Sequence, residues 1–126
     1  VLEREKPEMP KATETDVRAT FRRLVNMRPR EIEAWHTTEQ SKSVGQDSGD
    51  GVSVGVKAGQ RTIQLLRSKR APNADDKKHM RRVIGFIRRQ QACAPARNRE
   101  TSRWRYALMN WGHDPLKERE EDSPWR

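Results

Sequence analysis

A single cysteine, Cys93, stands in this chain of 126 residues. An intramolecular disulfide is therefore excluded, and with it the staple that small secreted domains use to offset a thin core; a reducing compartment is the expectation. Long hydrophobic runs are missing as well. Nothing approaches the roughly 20 apolar residues that a membrane span needs, and charges stand where a secretory signal would carry its apolar stretch. The sequence thus predicts a soluble, intracellular protein, cytoplasmic or nuclear. Leu, Ile, Val and Phe are sparse, 20 of 126 residues, a level at which a net charge of +9 brings disorder into consideration. The tryptophans argue the other way, because disordered chains are poor in aromatics. Trp35, Trp104 and Trp111 lie in periodic segments and predict a core built from a few large side chains.

Groups that do chemistry are scarce too. His36, His79 and His113 fall in separate segments, and with one cysteine they form no metal-ligand spacing. No serine or cysteine is marked by its surroundings as a nucleophile, and the adjacent pair His113-Asp114 suits a turn better than a catalytic dyad. The stretch GVSVGVKAGQRT at 51–62 has no lysine directly after its second glycine and no apolar strand before it, so nucleotide hydrolysis is not supported. A non-enzymatic protein without cofactor or metal is expected.

What is present is helical periodicity. Val17, Phe21, Leu24 and Val25 repeat at i, i+4, i+7 and i+8, which predicts a first helix capped by Thr15 or Asp16. Pro29 suits the first turn of a second helix reaching about Thr38, with Glu31 and Glu33 near its positive end. Residues 40–55 turn to Ser, Gly and Asp and read as the main internal loop, in which Ser43-Val44-Gly45 recurs as Ser53-Val54-Gly55, two similar turns or caps. Ser53 caps a third helix whose seam is Val56, Gly59, Ile63 and Leu66, with Gly59 permitting close approach. Asn73, followed by Asp75 and Asp76, opens a fourth helix to about Gln91. Thr101 or Ser102 opens a fifth, with Trp104, Ala107, Leu108 and Trp111 on one face and Gly112 as a left-handed stop. The expected fold is all-α: one compact domain of about five short helices over 15–117, with a Gly/Ser-rich internal loop, a flexible tail at 1–14 and an acidic tail at 118–126, both tails disordered.

Charge is unevenly placed. Residues 1–60 carry ten basic and ten acidic side chains, residues 61–105 fourteen and three, and residues 106–126 three and five. An excess of +11 on the middle third favours a polyanionic partner. On the fourth helix Met80, Val83, Ile84 and Ile87 share an apolar arc, while Lys77, Lys78, Arg81, Arg82, Arg88 and Arg89 take the other side, where they could follow a phosphate backbone. Arg predominates over Lys, and its guanidinium fork grips phosphate bidentately. Arg103 and Arg105 form a second basic cluster, and the helical wheel turns Arg105 and Tyr106 outward, toward a phosphate or a stacked base. The expected partner is DNA, with RNA the other candidate; the alternative is a protein-interaction or stress-associated module that meets an acidic partner.

Four segments carry a resemblance: EAWHTTEQSKSVG at 33–45, SVGVKAGQRTIQLLR at 53–67, HMRRVIGFIRR at 79–89 and RWRYALMNWGHDPLK at 103–117. Together they resemble a microbial family of small proteins of unknown function that is often labelled DNA-binding. The resemblance covers roughly residues 17–117 and implies a compact helical protein that binds DNA, with no catalytic residue. The positions it marks for testing are Arg103, Trp104, Arg105, Tyr106, Asn110, Trp111, Gly112, His113 and Asp114. Arg28 departs from the Ser or Thr expected there and leaves the second helix without its side-chain cap.

Overall fold

The computed structural model describes residues 14–47 and 49–117. The tails expected at 1–14 and 118–126 lie outside the described residues, apart from Glu14, which opens the first helix. The elements are α1 (Glu14–Leu24), α2 (Pro29–His36), α3 (Glu39–Lys42), α4 (Val54–Arg67), α5 (Ala74–Gln91), a 3-10 turn (Arg99–Thr101) and α6 (Arg103–Asn110). Among the described residues there is no strand, only an isolated bridge between Asp47 and Ser53.

Capping chemistry sets most boundaries. Ser53, Asn73 and Ser102 each accept a hydrogen bond from the backbone N–H three residues on, at 3.0, 2.8 and 3.1 Å. At α5 the bond is returned, since the Asp76 carboxylate accepts from the Asn73 N–H at 3.0 Å, completing a reciprocal box. Arg28 offers no such acceptor. The Glu31 carboxylate takes the Arg28 N–H at 2.7 Å instead, and Pro29 has no N–H to satisfy, so α2 starts where expected without a capping side chain. The single turn α3 falls within the stretch expected to be loop: too few apolar residues surround it for a helical stripe, and it forms because Thr38 caps Ser41 N–H at 3.1 Å and Ser41 is buried.

Packing follows the stripes. α1 lies along α5 and brings Val17, Phe21 and Leu24 into one core with Met80, Val83 and Ile87. α4 packs on α2, α5 and α6. α6 ends in a Schellman arrangement, in which His113 N–H reaches Leu108 O and Gly112 N–H reaches Met109 O, both at 3.0 Å. Gly112 has φ +105°, and a side chain there would press on Val25 and Ile32. The chain beyond α6 is tied to the loop after α1: Met27 N–H donates to Gly112 O at 3.2 Å, and the Asn26 amide exchanges two hydrogen bonds with the Asp114 backbone at 3.0 and 2.8 Å.

Candidate functional site

The cations of α5 are sorted by the same geometry that buries its apolar stripe. At 100° per residue, Lys78, Arg81, Arg82, Arg88 and Arg89 fall within an arc of roughly 120° opposite Met80, Val83 and Ile87. All five are exposed. They span about 16 Å of helix at 1.5 Å per residue. Gly85 lies in the middle of the arc, and the Arg89 guanidinium folds back beside it, with Nη1 3.1 Å from where a Cβ at residue 85 would stand. Arg82 lies over the Trp111 ring, 5.0 Å from its centroid, so a cation–π contact orients it. Among the described residues, no carboxylate pairs with any of the five.

Lys77 does not join them. It is 8% exposed, because 77, 80, 84 and 87 form one i, i+3, i+7, i+10 row and place it at the head of the apolar stripe. Its wheel position borders the exposed arc, and the fold covers it. Arg105 is also withdrawn from the surface expected for it. Its guanidinium forks onto Asp114, Nε to Oδ1 at 3.1 Å and Nη2 to Oδ2 at 3.0 Å, and Nη1 donates to Glu100 O at 3.0 Å. Burial works to raise the Asp114 pKa, but Arg105 and the Leu116 N–H, 3.0 Å away, hold it below its ordinary value. The outward Tyr106 is half-buried, its ring 5.5 Å from that of Trp35. Arg103 is exposed and donates through Nη1 to Ser43 O at 3.1 Å. The predicted interface therefore divides: five cations form the α5 ridge, Arg103 stands exposed on α6, Lys77 is buried and Arg105 is committed to a carboxylate.

Elsewhere in the cationic middle third four arginines are neutralised, Arg105 among them, while Lys69, Arg97, Arg99 and Arg103 are exposed and meet no carboxylate among the described residues. Arg61 and Arg70 both reach Asp76, at 3.2 and 2.6 Å, and Arg67 reaches Glu33 at 2.8 Å. Arg70 foremost, with the Asn73 N–H, holds the Asp76 carboxyl below its ordinary pKa. Sequence inspection could not find these pairs, since Arg61–Asp76 joins two helices and Arg67–Glu33 two distant segments.

The three histidines are structural. His36 Nε2, His79 Nε2 and His113 Nδ1 face the carbonyls of Asn110, Ala58 and Leu24 at 2.9, 3.2 and 2.6 Å. A carbonyl only accepts, so each facing nitrogen carries the proton. Burial, aided by the charge of Arg61, pushes His79 down from 6.5 to about 4. A depressed folded-state pKa means that the unfolded chain takes the proton first as pH falls. The contribution of neutral His79 is complete above pH 6.5 and is lost as pH falls through about 4. Denaturant midpoints measured across that window should fall, by up to about 3 kcal/mol of stability at 1.36 kcal/mol per unit, and the fall should shrink in His79→Gln; an unchanged pH profile in that variant would show that His79 is not its source.

The RWRYALMNWGHDPLK segment also acts mainly within the fold. Trp104 Nε1 donates to Gln90 O at 2.6 Å. The Asn110 side chain, 1% exposed, accepts from Trp35 Nε1 at 2.7 Å and from the Ser41 hydroxyl, and donates to Ser41 O at 3.1 Å. Among the described residues, no three His, Cys, Asp or Glu side chains are grouped to hold a metal ion, and no helix is long and apolar enough to cross a membrane.

Fold and site together define a compact all-α protein with a cationic ridge along its longest helix. The chain belongs to the family described as protein of unknown function (DUF3140), which it matches over residues 20–109. No curated protein and no solved structure matches it.

Proposed function

We propose that this chain is a non-enzymatic nucleic-acid-binding protein, with DNA as its first partner, that lays the α5 ridge along a phosphate backbone. The observation that carries the reading is alignment: Lys78, Arg81, Arg82, Arg88 and Arg89 share one exposed arc of a single helix and, among the described residues, meet no carboxylate, whereas Arg61, Arg67, Arg70 and Arg105 are paired and the other exposed cations of the middle third, Lys69, Arg97, Arg99 and Arg103, are spread over loops, the 3-10 turn and the start of α6. A row of guanidinium groups on a rigid helix binds phosphate without reading sequence. Arg103 extends the cationic surface beyond α5.

Five neutralised phosphates predict that log K falls with log salt at a slope near −4.5 in duplex DNA, at about 0.9 per phosphate. Replacing Arg81, Arg82, Arg88 and Arg89 by glutamine should flatten that slope to about −1 while the circular dichroism of the helices is retained. A salt-series titration decides the matter: a flat dependence in the unaltered protein, or an unchanged slope in the fourfold variant, removes the ridge as the binding surface.

A further inference from the structure

A cavity of about 270 Å³ opens beside the ridge, lined among others by Gln46, Gly55, Phe86, Gln90, Asn110 and Trp111. Its chemistry differs from that of the ridge. No charged side chain lines it. Phe86 and Trp111 stack on each other at its edge, with centroids 4.1 Å apart and planes inclined by 8°. Two primary amides, Gln46 and Gln90, stand at the rim, the first exposed and the second half-buried.

One donor of a buried residue there has no hydrogen-bond partner among the described residues. Trp111 is 7% exposed, and its indole N–H meets no acceptor among the described residues, although the Nε1–H groups of Trp35 and Trp104 are both satisfied. The Trp111 nitrogen is turned toward the first turn of α4, 2.9 Å from where a Cβ on Gly55 would stand. A buried N–H left unmatched costs free energy and asks for an explanation. An acceptor atom on a bound ligand supplies one.

We infer that this cavity seats a single unstacked nucleobase of a strand whose phosphates lie on the α5 ridge. The inference rests on the function proposed above and adds what that reading lacks, a contact with the base itself. An uncharged slot with an aromatic edge suits a planar, neutral ring. The Trp111 N–H offers a donor to a ring nitrogen or carbonyl oxygen, and glutamine amides supply both donors and acceptors to base edges. The ridge adjoins the slot: Arg82 lies over Trp111, which lines the cavity, and Arg82, Phe86 and Gln90 follow one another at i, i+4 and i+8 down the same flank of α5. A phosphate held by Arg82 would therefore present its own base to the slot, provided that the base is free of its pair. Single strands should accordingly bind better than equally charged strands without bases.

The test compares anisotropy titrations of two labelled single strands of equal length and charge, one of thymidine nucleotides and one whose sugars are all abasic. The base-bearing strand should bind about tenfold more tightly, the worth of about one hydrogen bond that satisfies an otherwise unmatched donor. Trp111→Phe, which keeps a ring and removes the N–H, should bring its affinity down toward that of the abasic strand and leave the abasic strand unaffected. Gln90→Leu, which leaves the backbone carbonyl used by Trp104 in place, gives a second reading should Trp111→Phe fail to fold. Equal, salt-dependent affinities for the two strands would overturn the slot and leave the ridge standing; absence of binding to either strand would overturn both.

Discussion

Gly59→Ala should destabilise the protein by about 3 kcal/mol, the upper part of the usual range for overpacking a well-filled site. In an exposed helix the same change is worth close to 1 kcal/mol in the opposite direction, because glycine is a poor helix former. The difference lies in what the methyl group would meet. At residue 59 it would overlap the carbonyl oxygen of Asn110 and lie 2.7 Å from the His36 ring. The oxygen belongs to the last turn of α6 and is already engaged by His36 Nε2 at 2.9 Å. It can retreat only if α6 shifts as a whole. Gly85 is the internal control. There the methyl group would meet only the Arg89 guanidinium, at 3.1 Å, which is the far end of a flexible side chain, so Gly85→Ala should stabilise by roughly 0.5–1 kcal/mol. Denaturant unfolding of the two variants checks both signs. If Gly59→Ala matched Gly85→Ala, the close approach of α4 to α6 would be refuted.

The role of Gly59 was open to reading because it interrupts an apolar seam with no turn nearby, a pattern that signals close packing. The caps at Ser53, Asn73 and Ser102 were equally readable, since each is local: a short polar side chain and the amide it binds lie three residues apart. What failed to show were relations between distant segments. Arg105 had the wheel position of a surface cation, and only the fold brings Asp114 round the Schellman turn to pair with it. Lys77 lay one helical position from the exposed arc, and its burial depends on what covers the first turn of α5. Of the eight cations expected to face a ligand, these are the two that tertiary structure withdrew. The cavity beside Trp111 was invisible for the same reason, because its walls come from the loop before α4, the first turn of α4, α5 and the end of α6. Asn110 drew notice only as one letter of a distinctive segment.

Asn110 is where the second large effect is expected. Its side-chain oxygen accepts from both Trp35 Nε1 and the Ser41 hydroxyl, and its Nδ2 donates to Ser41 O, so one amide fastens α2 and α3 to the end of α6. Asn110→Leu keeps the volume close and removes all three bonds. Each is worth about 1 kcal/mol net, and a donor stranded in the interior adds a further 1–3 kcal/mol. The sum is a loss of roughly 4 kcal/mol, a large share of the 5–15 kcal/mol typical of a folded domain. The stranded indole gives the argument a sharper test than magnitude alone. If much of the loss is the unmet Trp35 N–H, removing that donor as well should recover part of it, and Trp35→Phe with Asn110→Leu should cost less than the two single changes added together. Strict additivity in that double-mutant cycle would show that the two side chains are not coupled, and a loss below about 1 kcal/mol for Asn110→Leu would show that the amide does not join the helices.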